Sequence, residues 1–507
     1  MLLFEISSAE FKSPDEIFGD FFSHVQLAKI FRDDKTFTDC VPKTPAEEIL
    51  RLYKEQKNTP GFDLKKFVEE HFILPDQSHS KYIADTSITI SKHIDNLWDV
   101  LARRVTEQIP NSSLINLPYS YVVPGGRFRE VFYWDSYFIM LGLQQSGRHE
   151  LVEHMVNNFS FLIHTFGFVP NGNRTYFLSR SQPPFYSLMI DLLSEKDPMA
   201  LVTYLPYMEK EYGFWMNGSD QLSAEHTSML RVVKMPDGEI LNRYWDDKTV
   251  PRPEGYSKEI LASQNMSPED AGHMYREIRA ACESGWDFSS RWLKDGKTFQ
   301  NFYITDLIPV DLNCLLYHLE SSISKAYKLK GDQTKGDEFY SLSVKRRNAI
   351  LKYCWSNKCS FFMDYNFLKK ECTYSYTIAA AFPLFLEVCT MEQAKAVAAK
   401  LKESFLQPGG FLTTLENSPF QWDSPNGWAP MQWIAVKGLL NYNEKELAFE
   451  GAHRWMELNN KIYRSTGKLI EKYNVVDMNM LTGGGEYDLQ DGFGWTNGVY
   501  LKLQSVI

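Results

Sequence analysis

Apolar positions recur at three- and four-residue steps along most of this chain. Between 88 and 105 the stripe is Ile88, Ile90, Ile94, Leu97, Trp98 and Leu101, ending before Arg103-Arg104. That spacing builds one buried face of a helix. Residues 151–166 repeat it with Leu151, Val152, Met155, Phe159 and Leu162, and Gly167 supplies a C-terminal cap. In 307–329, Leu312, Leu315, Leu316, Leu319, Ile323 and Tyr327 form a third stripe, closed by Gly331. Similar patterns predict helices near 137–146, 185–194, 198–212, 268–281, 337–355, 374–388, 391–405, 431–441 and 445–461. About a dozen helices result, with few period-two runs and no repeat of fixed length. The pattern predicts an all-α chain.

Between these stripes lie connections at 121–135, 168–184, 243–256, 282–292, 408–430 and 481–497, each mixing Gly or Pro with Arg, Trp or acidic residues. Loops carry function when a rigid scaffold positions them. One large helical domain over 81–507 is therefore expected, with its chemistry in the connections at one end. Residues 1–80 are more charged and hold shorter stripes. They are expected to form a helical extension packed on that domain, since no Gly/Ser- or Pro-rich linker separates the two.

Composition adds exclusions more than assignments. Among 507 residues the net charge is -10 and no Lys/Arg run forms a basic stripe, which argues against a nucleic-acid partner. Aromatics make up 14% of the chain. Aromatic faces beside carboxylates suit sugars, although a large core also uses many rings. The N-terminus lacks a basic segment, a long apolar core and a small-residue cleavage site, and no stretch is apolar enough to span a membrane. Seven cysteines are scattered without a CxxC pair, and no His/Cys pair accompanies Cys354 and Cys359 to make a zinc site. These features predict reduced thiols and a cytoplasmic protein. A processed chain from a periplasmic or secreted protein would read the same.

The connections concentrate candidate chemistry. The first reads Pro124-Gly125-Gly126-Arg127-Phe128-Arg129-Glu130-Val131-Phe132-Tyr133-Trp134-Asp135; the second runs from Pro170-Asn171-Gly172-Asn173-Arg174 to Arg180-Ser181-Gln182. Arg252-Pro253-Glu254, Glu283-Ser284-Gly285-Trp286-Asp287, Gln421-Trp422-Asp423 and the stretch from Ile470-Glu471-Lys472-Tyr473 to Gly483-Gly484-Gly485-Glu486 follow. The triple glycine is not a phosphate loop, because no Lys-Ser/Thr follows it. Glu283 and Asp287 would share a face on a helix, but the intervening Ser-Gly makes a loop equally open. Glycoside hydrolysis needs two carboxyl groups flanking the scissile bond. Asp135, Glu254, Asp287, Asp423, Glu471, Glu486 and Asp491 are the candidates, and spacing does not rank them.

Two stretches resemble the signatures of a known family. Pro124-Gly125-Gly126-Arg127-Phe128-x-Glu130-x-x-Tyr133-Trp134-Asp135-x-Tyr137 is similar to the first trehalase signature. Gln421-Trp422-Asp423-x-Pro425-x-Gly427-Trp428-Ala429-Pro430 is similar to the second. The resemblance extends from Asp34-Lys35-Thr36-Phe37 to the C-terminus. It implies an (α/α)6 barrel that hydrolyses α,α-trehalose to two glucose molecules with inversion, as a monomer, without metal or organic cofactor. By position, it implies Asp287 as general acid and Glu471 as the base that activates water. It further implies Arg127, Trp134, Asp135, Asn171, Arg180, Ser181, Gln182, Arg252, Pro253, Glu254, Gly285, Trp422 and Glu486 as the lining of the sugar pocket. Asp287 is then expected to be protonated in apolar surroundings near Trp286, and Glu471 to stay ionised beside arginine charge. The rival readings are another (α/α)6-barrel glucosidase or disaccharide phosphorylase, a non-catalytic sugar binder, and a helical scaffold for protein partners.

Overall fold

The computed structural model describes residues 11–75, 84–104, 109–480, 490 and 492–507. Among them, six helical segments close an inner ring: Tyr133–Gln145, Tyr186–Ser194, Val310–Lys330, Ile378–Ala381 continuing as Phe382–Phe385, Ala429–Asn441 and Gly494–Gln504. Each packs on the next, and the last packs on the first. An outer layer of Ile90–Leu101, His149–Phe166, Ala200–Trp215, Gln333–Tyr353, Met391–Lys400 and Lys445–Thr466 returns the chain between inner helices. This is the (α/α)6 barrel. The strands are two or three residues long, in sheets of at most three strands.

The two layers read differently in sequence because they bury different fractions of their surface. Ile90–Leu101 buries Ile90, His93, Ile94, Leu97, Trp98 and Leu101, one face of an outer helix, and Thr89 caps its N-terminus. Tyr133–Gln145 is buried along its first eleven residues, so no polar face marks it. His149–Phe166 and Val310–Lys330 end at Gly167 and Gly331, both left-handed, as predicted.

Three differences from the predicted elements stand out. The 374–388 segment is extended up to Thr377, then 3₁₀, then a four-residue helix, because Tyr374 takes positive φ and Thr377 bridges to Thr414. The 391–405 helix is α only to Lys400 and finishes as a π turn. Gly494–Gln504 is a helix where a loop was expected to 497. A Cβ on Gly498 would collide with the Phe138 carbonyl, and one on Gly142 with the Gly498 backbone, so two weak helix formers sit where two inner helices touch.

Residues 18–72 carry their own apolar cluster, built on Phe18, Phe21, Phe22, Phe37, Ile49, Tyr53, Phe67 and Phe72. Tyr256 of the barrel packs against it, while the larger cluster begins at Ile90. No helix among the described residues is long and apolar enough to cross a membrane. The seven cysteines are free thiols, five of them buried.

Candidate active site

The connections of interest precede the inner helices, so they gather where those helices start. Phe132 is extended and Tyr133 opens the helix, which places Trp134 and Asp135, both buried, in its first turn. Upstream, Gly126 takes φ 58°, and Arg127 donates its N–H to Gln490 Oε1 at 2.8 Å. The Arg127 guanidinium lies 3.2 Å from Asp33. The second connection is laced to the first: Gln182 Oε1 accepts the Trp134 N–H at 3.1 Å, and the Asn171 carbonyl accepts that of Tyr133 at 3.2 Å.

Helix Pro268–Glu283 stops because Gly285 turns left-handed at φ 75°. A side chain there would meet the Trp134 indole at 2.7 Å, so only glycine lets this backbone lie so close to the ring. Of the two arrangements open to Glu283 and Asp287, the loop is formed. Glu283 is fully buried, pairs with Arg231 at 2.7 Å and accepts the N–H groups of Ser181 and Trp245. Asp287 is half-buried, and its chain neighbours Trp286 and Phe288 are buried.

Glu471 sits one residue before the strand Lys472–Asn474, which pairs antiparallel with Asn426–Trp428. Its N–H donates to the Gln490 carbonyl at 3.1 Å, and its own carbonyl accepts the Trp495 indole N–H at 3.0 Å. Lys472 Nζ lies 3.8 Å from Glu471 Oε2 and donates to Gln421 Oε1 at 2.7 Å. Gln421 Nε2 donates in turn to the Asp287 carbonyl at 2.5 Å. One buried glutamine thus ties the acid candidate's backbone to the lysine beside the base candidate. Asp135 faces both: burial first, then the charges of Glu471 and Asp287, push its carboxyl well above the usual range.

A second group of charges is arginine-rich. Arg180 pairs with Glu254 at 2.7 Å and approaches Asp246 at 3.7 Å. Arg252 pairs with Glu259 at 2.5 Å and lies 3.9 Å from Glu254. Burial works against ionising Glu254, yet Arg180, Arg252 and Arg279 hold its carboxyl below the usual range. Arg252 Nη1 also meets the Cys282 thiol at 2.9 Å, and burial pushes that thiol up to about 12. Arg180 Nε and Nη1 and Glu254 Oε2 are buried without a hydrogen-bond partner among the described residues. Such atoms suit a polyhydroxylated ligand. Ser181 donates its hydroxyl to the Val169 carbonyl at 2.7 Å, and the Pro253 carbonyl accepts from Gln26 and Thr38.

Five indoles, Trp134, Trp286, Trp422, Trp428 and Trp495, pack together and are all buried. Trp422 stacks on Trp428 at 4.1 Å and 3° and on Trp286 at 5.2 Å and 12°. Asp423 has no free role: it accepts from Ser289, Ser290, Thr414 and Ser418 and serves the loop backbone. Glu486 and Asp491 lie outside the described residues. Asp246 and Arg279, which complete the arginine wall, follow no motif in the sequence. Lys472 and Gln421 lie inside the motifs, but neither is a carboxylate, and only the fold brings them together beside Glu471. Among the described residues no group of three or more His, Cys, Asp or Glu is placed to hold a metal ion.

Three carboxyls near enough for the charges of Glu471 and Asp287 to act on Asp135, with packed indoles and paired arginines on the connections of a helical barrel, define a carbohydrate-cleaving enzyme of the (α/α)6 class. The family model for trehalases matches residues 29–507, and the chain belongs to that family. It is 45% identical over 495 residues to a periplasmic trehalase of Salmonella agona, covering 97% of this chain and 86% of that protein. The structure is similar to that of a neutral trehalase from Saccharomyces cerevisiae, at TM-score 0.64 and 24% identity, covering 97% and 93% of the two chains. It also resembles a mannosylglycerate hydrolase from Thermus thermophilus at TM-score 0.55 and 16% identity, covering 82% and 100%. The expectation of a cytoplasmic protein finds no support in relatives named periplasmic.

Proposed function

We infer that the chain hydrolyses α,α-trehalose to two glucose molecules, with inversion at one anomeric centre. The observation that carries this reading is that the charges of Asp287 and Glu471 both act on buried Asp135 in a trehalase-family chain. Asp287, set among Trp286 and Phe288, gives its proton to the bridging oxygen as the glycosidic C–O bond breaks. Glu471 takes a proton from the water that attacks the anomeric carbon from the other face. Lys472 Nζ stands 3.8 Å from Glu471 Oε2 and favours the ionised carboxylate. One glucose leaves as the β-anomer and the other as the α-anomer.

Asp135, whose carboxyl is raised well above the usual range by burial and by the charge of Glu471, donates to a sugar hydroxyl. Arg180 and Glu254 offer their unpartnered atoms to further hydroxyls. Arg127, Arg252, Asn171, Ser181, Gln182, Pro253, Gly285, Trp134 and Trp422 complete the lining, and Glu486, outside the described residues, is assigned a sugar contact on the family resemblance alone. Holding both rings in register lowers the entropic part of the barrier. We read 1–80 as the extension and 81–507 as the catalytic barrel, which the two apolar clusters support. The similarity to proteins named periplasmic favours that compartment, which cell fractionation checks.

The test is glucose release from α,α-trehalose beside maltose, sucrose and mannosylglycerate, with and without phosphate. Release from trehalose alone, independent of phosphate, is the expected result. Phosphate-dependent turnover would make the protein a phosphorylase, and binding without turnover a sugar sensor. NMR of the first anomer formed tests inversion. A light-scattering mass near 58.8 kDa is expected for a monomer.

A further inference from the structure

The short helix Asp34–Thr38 of the N-terminal segment touches three of the sugar-facing connections at once. On the first, Lys35 Nζ lies 2.6 Å from Glu130 and Asp33 lies 3.2 Å from Arg127. On the second, Tyr176 donates to Asp39 at 2.8 Å and Arg174 stands 3.6 Å from the same carboxylate. On the third, the Thr38 hydroxyl donates to the Pro253 carbonyl at 3.0 Å, and the Ser257 N–H donates to Asp34 at 2.8 Å. Lys35, Asp39, Glu130 and Arg174 are all buried, so this charge network is a foundation that cannot be cut without cost to folding. The Asp33–Arg127 pair is its outermost contact, with side chains 39% and 22% exposed.

Asp33 divides its two oxygens between two tasks. Oδ1 caps the helix by accepting the Thr36 N–H at 2.8 Å, and Oδ2 faces the Arg127 guanidinium. We propose that Asp33 is a positioning residue for substrate, acting through Arg127, so that the N-terminal segment sets the aim of a pocket arginine belonging to the barrel. The proposal rests on the reading of Arg127 as a sugar contact. Arginine has several rotatable bonds, and a guanidinium already held in its bound direction loses less freedom when the sugar arrives. The benefit shows as tighter substrate use, not as a more stable fold.

Asparagine caps helices as well as aspartate, so Asp33→Asn removes the charge and keeps the cap. Asp33→Ser does the same with a different side chain and guards against an accident of one variant. Each is expected to unfold at the wild-type temperature and to lower kcat/KM for trehalose about three- to tenfold, the scale of a partly exposed ion pair plus one ordered side chain. The decisive readout is a double-mutant cycle with Arg127→Ala. In that background the Asp33 substitutions should change kcat/KM less than about twofold, because their route of action is gone. If Arg127→Ala is impaired while Asp33→Asn and Asp33→Ser match the wild type, or if the losses multiply independently, the positioning role is wrong and the sugar-contact reading stands. Wild-type kinetics for Arg127→Ala would sink the sugar-contact reading and the positioning role with it.

Discussion

The two walls of the pocket hold carboxyl groups of similar burial and opposite fate. On the arginine wall, Glu254 sits with Arg180, Arg252 and Arg279, and its carboxyl is held below the usual range despite burial. On the other wall, Asp135 faces Glu471 and Asp287, and its carboxyl is driven far above that range. The first wall has its charge neutralised in place and is built for rigidity. The second brings carboxyls close together, the condition under which one is protonated and another is not. Binding belongs to the matched wall and proton transfer to the mismatched one.

The strongest way to break that division is to remove proton traffic without touching the arginines. Asp287→Asn and Glu471→Gln keep side-chain shape, and each should lower kcat by about 10²- to 10⁴-fold. Thermal unfolding should change little in either variant. Azide rescue of the Glu471 variant, with the product anomer followed by NMR, separates a base from a nucleophile. Near-normal turnover in either variant removes that residue from its assigned role.

Next in size is a cut in the matched wall. Arg180→Met leaves Glu254 and Asp246 buried without their nearest shared cation. A loss of about 1.5–3 kcal/mol in urea unfolding is expected, less than for an orphaned buried charge because Arg252 and Arg279 stay beside the two carboxylates. A loss under about 1 kcal/mol would mean that the wall is not held by charge pairing. Between the walls lies Gly285, where a Cβ would meet the Trp134 ring at 2.7 Å. Gly285→Ala should cost about 1–3 kcal/mol through overpacking and a left-handed backbone, read as a lower midpoint in the same assay.

What the sequence made legible was local. Outer helices such as Ile90–Leu101 and His149–Phe166 expose one face, so their stripes and glycine caps could be read directly. Gly494–Gln504 could not: it is buried all round, and Gly494, Asn497 and Gly498 are poor helix formers accepted for close packing. The site followed the same rule. Asp135, Asp287 and Glu471 lay in contiguous motifs, whereas the Gln421 link to Asp287 and the Arg180–Asp246 contact join residues far apart in the chain. Asp423 misled for a related reason. Its motif carries a carboxylate, but only the folded loop shows that four donors already occupy it.

The smallest effect is the most pointed, because the two walls should respond to pH with opposite sign. The Asp135 carboxyl holds its proton to higher pH when folded than when unfolded. The native state therefore binds more protons than the unfolded state once pH passes the ordinary carboxyl range, and stability falls as pH rises towards the raised value. Asp135→Asn mimics the protonated form, so its stability relative to the wild type should climb across that window and then level off. Glu254 is the mirror image, since its folded carboxyl is the stronger acid. The stability it contributes is present above its ordinary value and is lost as pH falls through the lowered one. Glu254→Gln should accordingly be the weaker protein at neutral pH and converge on the wild type in acid. Thermal midpoints of the three proteins without substrate, followed from acid to neutral pH and beyond, give both differences in one experiment. Curves sloping the same way would mean that the walls do not differ electrically, and that proton transfer is not confined to the wall carrying Asp135.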